Sequence, residues 1–193
     1  VNRLDEQIIK CRKCPELVPQ QEHPVPGEGR IKPGGIVVLG EGLGKDEAKE
    51  LRPFIGRAGQ TLRSALDTAG LTDLVYITNI VKCRPPGNRD PSPAETGNCK
   101  PWLLKQLNAL DPLLIITVGK VSTGAMQEKS PAAIPILRIA GQTYKAGPWN
   151  CLATMHPAYV NRRRGDKDLG LSFIGHFRIA LGHYKRLGGK IDG

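Results

Sequence analysis

Four of the five cysteines in this 193-residue chain fall into two sets, Cys11 and Cys14 as Cys-x2-Cys, and Cys83 and Cys99 as Cys-x15-Cys. Four thiolates can hold either a tetrahedral zinc ion or an iron–sulfur cluster. Zinc ribbons usually carry two close pairs, whereas the second pair here is widely split, a scatter that a larger cluster tolerates better. Unconnected cysteines are the third alternative. Cys151 lies in the apolar run CLATM and reads as a small buried hydrophobe. Three further segments concentrate polar groups: GEGLGKDE (40–47) with Glu41 and Glu47, Asn79 through CRPPGNRDP (83–91), and HPAYVNRRRG (156–165). The first allows close backbone approach to a ligand, but it has neither the Lys-Ser/Thr of a Walker A loop nor GxGxxG spacing. Taken singly, each segment also has an ordinary reading: a strand–helix turn with solvated acids, an Asn cap, a structural histidine, a solvated run of arginines.

These segments all follow apolar runs that read as strands. GIVVLG (35–40), VYITNIV (75–81) and PLLIITVG (112–119) are short and β-branched, and residues 135–155 read as shorter strands ending in CLATM. Between them, Leu62, Ala65, Leu66 and Ala69 recur at helical spacing, and Cys99, Leu103 and Leu107 share a helix face at intervals of four. Further helices are predicted over 119–127 and about 171–186, and a short one before an irregular Pro/Gly-rich arm in residues 1–34. Alternating strands and helices predict an α/β fold with a mainly parallel sheet, whose ligands bind beyond the carboxyl ends of the strands. No repeat or linker divides the chain, so residues 1–193 are expected to form a single domain.

The composition narrows the partners. Lys and Arg number 28 against 18 Asp and Glu, a formal charge of +10 that suits a polyanion such as nucleic acid. Only 2 Trp, 4 Tyr and 3 Phe are present, too few for a sheet that stacks successive bases on aromatic rings. The sequence shows no apolar stretch of membrane-spanning length and no export signal, so a cytoplasmic protein away from membranes is expected. In that compartment metal ligation is a better reading of the cysteines than disulfides.

Taken together, the motifs resemble family 4 uracil-DNA glycosylases, the iron–sulfur branch of their superfamily. The resemblance runs through Cys11-x2-Cys14, GEGLGKDE at 40–47, PFIGRAGQTL at 53–62, TNIVKCRPPGNRDPSPAE at 78–95 with Cys99 following, and MHPAYVNR at 155–162. It implies a three-layer α/β/α fold with a central four-stranded parallel sheet. It also implies a [4Fe-4S] cluster on Cys11, Cys14, Cys83 and Cys99, tying the N-terminal arm to the 83–99 segment. The implied activity is hydrolysis of the bond between uracil and deoxyribose in DNA, the base being flipped out first. The partners expected with it are uracil-containing DNA and a replication clamp, with the chain acting as a monomer.

Under that resemblance the residues take roles. His156 donates to uracil O2 as negative charge develops there, and Glu41 positions the water or its loop. Asn79 reads the base edge, accepting from N3–H and donating to O4, a polarity that cytosine reverses. Phe54 stacks on the base, Gly40 and Gly42 let the backbone approach it, and Glu47 crowds the C5 side against thymine. Ala158, Tyr159, Arg162, Arg163 and Arg164 follow the histidine into the DNA groove and onto phosphates, as do Lys82, Arg84 and Arg89 from the middle loop.

Two positions depart from the family pattern. GEAPG is replaced by Gly-Glu-Gly-Leu-Gly, and Ala158 stands where His-Pro-Ser has its serine. In superfamily members that hold water with an aspartate, that carboxylate sits where Gly42 stands, so no side chain at 42 can activate water. The missing proline is expected to loosen the loop, and the missing serine to remove a phosphate hydrogen bond. A non-catalytic iron–sulfur DNA-binding module on the same fold is the alternative that these changes raise. A zinc-stabilised RNA-binding protein is the other, disfavoured by the scarce aromatics.

Overall fold

The computed structural model describes residues 2–191, so residues 1, 192 and 193 of the expected 1–193 unit lie outside the described residues. Six strands form one mixed sheet: β1 (Glu28–Gly29), β2 (Ile36–Gly40), β3 (Val75–Asn79), β4 (Leu114–Val118), β5 (Thr143–Ala146) and β6 (Trp149–Thr154). Their spatial order is β1-β3-β2-β4-β6-β5. The four inner strands run parallel, while β1 and β5 pair antiparallel at the two edges. The four parallel strands expected at the centre are therefore joined by an antiparallel strand at each edge, six strands in all among the described residues. Neither edge strand carries a continuous apolar run: β1 has two residues, and three of the four in β5 retain solvent exposure.

The helices are α1 (Asn2–Ile9), α2 (Lys45–Glu50), α3 (Arg57–Thr68), α4 (Pro93–Leu110), α5 (Lys120–Gln127), α6 (Ile136–Ile139), α7 (Pro157–Arg162) and α8 (Lys167–Arg186). Two of them replace other expectations. Residues 136–139, predicted within a strand region, form a helical turn after Pro135, because so short an apolar run fits either period. The segment after His156, where no helix was predicted, is helical because Pro157 occupies the first turn, where a missing N–H costs nothing. No helix among the described residues is long and apolar enough to cross a membrane.

Side chains alternate across the inner strands, and both faces are covered. Ile36, Val38, Ile77 and Ile116 pack with Leu62 and Leu66 of α3 and with Phe173 and Phe177 of α8. Val37, Leu39, Tyr76 and Ile115 pack on the other face with Leu103 and Leu107 of α4. The continuous apolar runs follow from this double burial.

The chain order places the crevice. From β2 the chain moves to β3 on one side, whereas β4 lies on the other, so the loops leaving β2 and β4 diverge. A gap opens between them at the carboxyl ends of the strands. Gly40 and Asn79 face each other in register at that edge.

Candidate active site

Gly40 is glycine for a steric reason. A Cβ there would overlap both Asn79 Oδ1 and the ring of Phe54, so only a bare backbone lets these two side chains meet at the strand ends. Asn79 is buried, with 2% of its surface exposed, and its Oδ1 has no hydrogen-bond partner. A buried amide oxygen left without a donor costs on the order of 1–3 kcal/mol, which a ligand N–H would recover.

Phe54 is held in a left-handed conformation, φ +53°, uncommon for a residue with a Cβ. Its surroundings fix that geometry. Arg63 donates from Nε to the Phe54 carbonyl and from Nη2 to the Pro53 carbonyl, both at 2.8 Å. Gly59 lies so close to the Phe54 backbone that a Cβ would overlap it. Glu47 accepts from the N–H groups of Ile55 at 3.0 Å and Gly56 at 2.8 Å, at the start of α3. Glu47 also lines the cleft, so the residue expected to shape the pocket holds the aromatic loop as well.

The cleft encloses about 440 Å³ and is lined by Glu41, Gly42, Phe54, Asp90, Lys120 and His156, among others. His156 caps α7, its Nδ1 accepting the Ala158 N–H at 3.2 Å. An accepting Nδ1 leaves the neutral ring's proton on Nε2. Burial, helped by Arg162, lowers the imidazole to about 4, so the ring is neutral at physiological pH. Ala158 thus contributes its backbone N–H to the histidine.

Glu41 is half-buried, and burial together with the Asp90 carboxyl pushes it up to about 7, while Lys120 opposes the shift. Lys120 Nζ lies 3.5 Å from Asp90 Oδ2. The loop carrying Glu41 is tied down rather than loose: Val81 N–H donates to the Glu41 carbonyl at 2.9 Å, and Leu43 N–H to the Cys83 carbonyl at 3.4 Å. Proline at 43 could not make the second bond, so the expected loosening is corrected by a tether of a different kind.

The cations divide into two groups. Lys82 is buried, and its Nζ donates to Thr78 Oγ1 at 2.8 Å and the Asn79 carbonyl at 2.6 Å, which corrects the expectation that it meets phosphates. Arg89 makes a two-pronged contact with Glu95, 2.8 and 2.7 Å, and Arg84 donates to Asn88 Oδ1 at 2.7 Å. Arg162, Arg163 and Arg164 are exposed; Arg162 lines the cleft, and Arg163 lies 4.8 Å from the Tyr159 ring centre.

Cys11, Cys14, Cys83 and Cys99 line one cavity with the apolar side chains of Ile8, Leu17, Val81 and Trp102. Three of the sulfurs accept hydrogen bonds, Cys11 from Trp102 Nε1 at 3.3 Å, Cys14 from Asn98 Nδ2 at 3.6 Å and Cys99 from Lys82 N–H at 3.4 Å. Burial and the other three thiols push Cys83 up to about 12. Four soft donors around an apolar cavity, with N–H groups aimed at sulfur, fit a thiolate-bound cluster. Among the described residues no His, Cys, Asp or Glu group is arranged to hold a single metal ion. Cys151 is buried in the sheet core, apart from this cavity.

The Uracil DNA glycosylase superfamily model matches residues 26–174. The chain is 40% identical over 186 residues to the type-4 uracil-DNA glycosylase of Pyrobaculum aerophilum, covering 91% of this chain and 94% of that protein. The corresponding protein of Thermotoga maritima is 36% identical over 165 residues, covering 85% and 84%. A type-5 uracil-DNA glycosylase of Pyrobaculum aerophilum is more distant, at 28% over 195 residues, covering 86% of this chain and 84% of that protein. The chain belongs to the type-4 branch of the uracil DNA glycosylase superfamily.

Within this superfamily fold, several cleft residues received no role from the sequence. Asp90, Lys120 and Gly119 line the cleft without having been singled out by sequence reasoning. Gly119, at φ +90°, had a legible signal, a glycine between an apolar strand and a helix. A Cβ there would come within 3.1 Å of His156 Cβ. Glu95 was legible too, through the Ser-x-x-Glu capping box that it forms with Ser92.

Proposed function

We propose that this protein removes uracil from DNA, hydrolysing the N-glycosidic bond and leaving an abasic site. The observation that carries the reading is the juxtaposition at one set of strand ends of a neutral imidazole, its Nδ1 already occupied, and a buried Asn79 whose Oδ1 lacks a donor. Asn79 Oδ1 accepts uracil N3–H and its amide donates to O4. Cytosine would leave both groups unpaired, which is how a buried polar reader rejects a near-isostere. Phe54 stacks on the flipped base, its loop stiffened by Arg63, Gly59 and Glu47. His156 Nε2–H donates to O2 as the C1′–N1 bond lengthens and the base takes up negative charge. One oriented donor of this kind contributes on the order of 3–4 kcal/mol in a water-poor site.

The exposed arginines 162–164 and Arg84 neutralise backbone phosphates, and Tyr159 supports Arg163. Arg89 serves the middle loop, its guanidinium being taken by Glu95. Cys11, Cys14, Cys83 and Cys99 would hold a [4Fe-4S] cluster, which supplies a structural cross-link between the N-terminal arm and the segment leading into α4. Val25 N–H, donating to the Lys82 carbonyl at 2.8 Å, fastens the same arm just beyond the end of β3.

The test is incubation with a uracil-containing oligonucleotide followed by hot alkali, with iron and zinc measured on the same anaerobic preparation. Strand breaks only at uracil and about four irons per chain are expected. Bound but unbroken DNA would instead favour a non-catalytic module, and stoichiometric zinc without iron would contradict the cluster.

A further inference from the structure

We propose that Asp90 is the partner carboxylate of Glu41, and that the pair holds the attacking water and takes its proton in place of a side chain at residue 42. The assignment rests on the glycosylase reading above. Three features of the cleft lead to it. Glu41 and Asp90 line the same space as His156, one from the loop after β2 and the other from the loop before α4. A Cβ on Gly42 would touch the Cys83 carbonyl at 3.4 Å, Pro85 Cδ at 3.5 Å and Pro91 Cγ at 3.7 Å, so a side chain at 42 would project against the loop that carries Asp90. Lys120 anchors the carboxylate from the start of α5, 3.5 Å from Asp90 Oδ2.

A neighbouring carboxylate disfavours ionisation of a half-buried one, so Glu41 keeps its proton to higher pH. Glu41 accordingly sits at about 7, raised first by burial and next by Asp90. A base tuned near the working pH is the efficient one. Most other charged groups around it are already engaged or neutral, and the exposed cation Arg162 also lines the cleft. Glu47 on α2 binds the N–H groups of Ile55 and Gly56, Arg89 is held by Glu95, and His156 is neutral, with Arg162 acting on that imidazole.

In the reaction the C1′–N1 bond breaks and its electron pair leaves with uracil. The water oxygen bonds to C1′, and one water proton passes to the ionised carboxylate of the pair. The uracil anion is protonated by solvent after release, and the pair returns its proton to solvent.

The experiment is the single-turnover excision rate on a uracil-containing oligonucleotide between about pH 5 and 9, for the parent, Asp90→Asn, Asp90→Glu and Lys120→Gln. The parent rate rises through an apparent pKa near 7. Asp90→Asn moves that limb to lower pH, because a negative neighbour is gone, and lowers the plateau by about 10-fold. Asp90→Glu restores both, and Lys120→Gln moves the limb upward. An Asp90→Asn profile with the parental limb and plateau overturns the assignment. A parent that cuts at no pH overturns the glycosylase reading itself and leaves no profile to compare, so the two failures are distinct.

Discussion

Arg63 holds Phe54 by its carbonyl, with Nε 2.8 Å from that oxygen. The same guanidinium reaches the Pro53 carbonyl and is paired with Glu28, which also binds Arg52. A guanidinium fork spans these acceptors from one rigid plane, whereas a lysine ammonium would keep only part of the set.

Arg63→Lys should therefore loosen the stacking residue without touching the chemistry. Steady-state measurements should show KM raised by about 5–10-fold, with kcat changed less, the sign of lost uniform binding. A variant with parental KM would show that the Phe54 backbone holds its left-handed conformation without Arg63.

Asn79 is expected to set base choice. Asn79→Asp replaces a donor by an acceptor at O4 and should lower uracil excision at least ~100-fold, while raising the ratio of cytosine to uracil cleaved. The comparison needs matched U:G and C:G oligonucleotides under single-turnover conditions. Unchanged selectivity in Asn79→Ala would place the reader elsewhere.

Much of this arrangement was legible in the sequence, for definite reasons. GIVVLG, VYITNIV and PLLIITVG are apolar on both faces because α3, α8 and α4 cover both, and so each run announces a buried strand. The loops that follow them were identifiable because parallel strands deliver their carboxyl ends to one side. Residue type misled where burial depended on partners distant in space. Lys82 reads as a surface cation, yet Thr78 and the Asn79 carbonyl satisfy its ammonium inside the fold. Asp90 and Lys120 bear on Glu41 only because β3 and β4 both flank β2, and no spacing along the chain encodes that. The helix after His156 was hidden by a proline that ends helices in their interior but starts them at the first turn.

The exposed arginine run should govern the salt dependence of DNA binding. Alanine at 162, 163 and 164 together should reduce the slope of log K against log salt by about 0.9 for each duplex phosphate that these side chains neutralise. Fluorescence anisotropy over a salt series measures it directly. An unaltered slope would put the DNA on another face.

Glu41 should impose a pH-dependent cost on stability. Its folded value of about 7 exceeds the ordinary 4.5, so the folded chain binds more protons between those values and stability falls as pH rises through that window. Glu41→Gln removes the ionisable group and should raise the melting temperature by several degrees above pH 7, with the gain shrinking toward pH 4.5. Equal melting temperatures across the range would contradict the half-buried setting of Glu41 beside Asp90.

In the proposed reaction the excision rate rests on His156, the donor assigned to the departing uracil. The most direct measurement is the single-turnover excision rate of His156→Ala beside the parent, with DNA binding and iron content checked on both. A fall of ~100-fold or more is expected, with binding retained, the size associated with removing one oriented donor. Excision by His156→Ala at the parental rate, in protein that folds and binds DNA normally, would contradict that role.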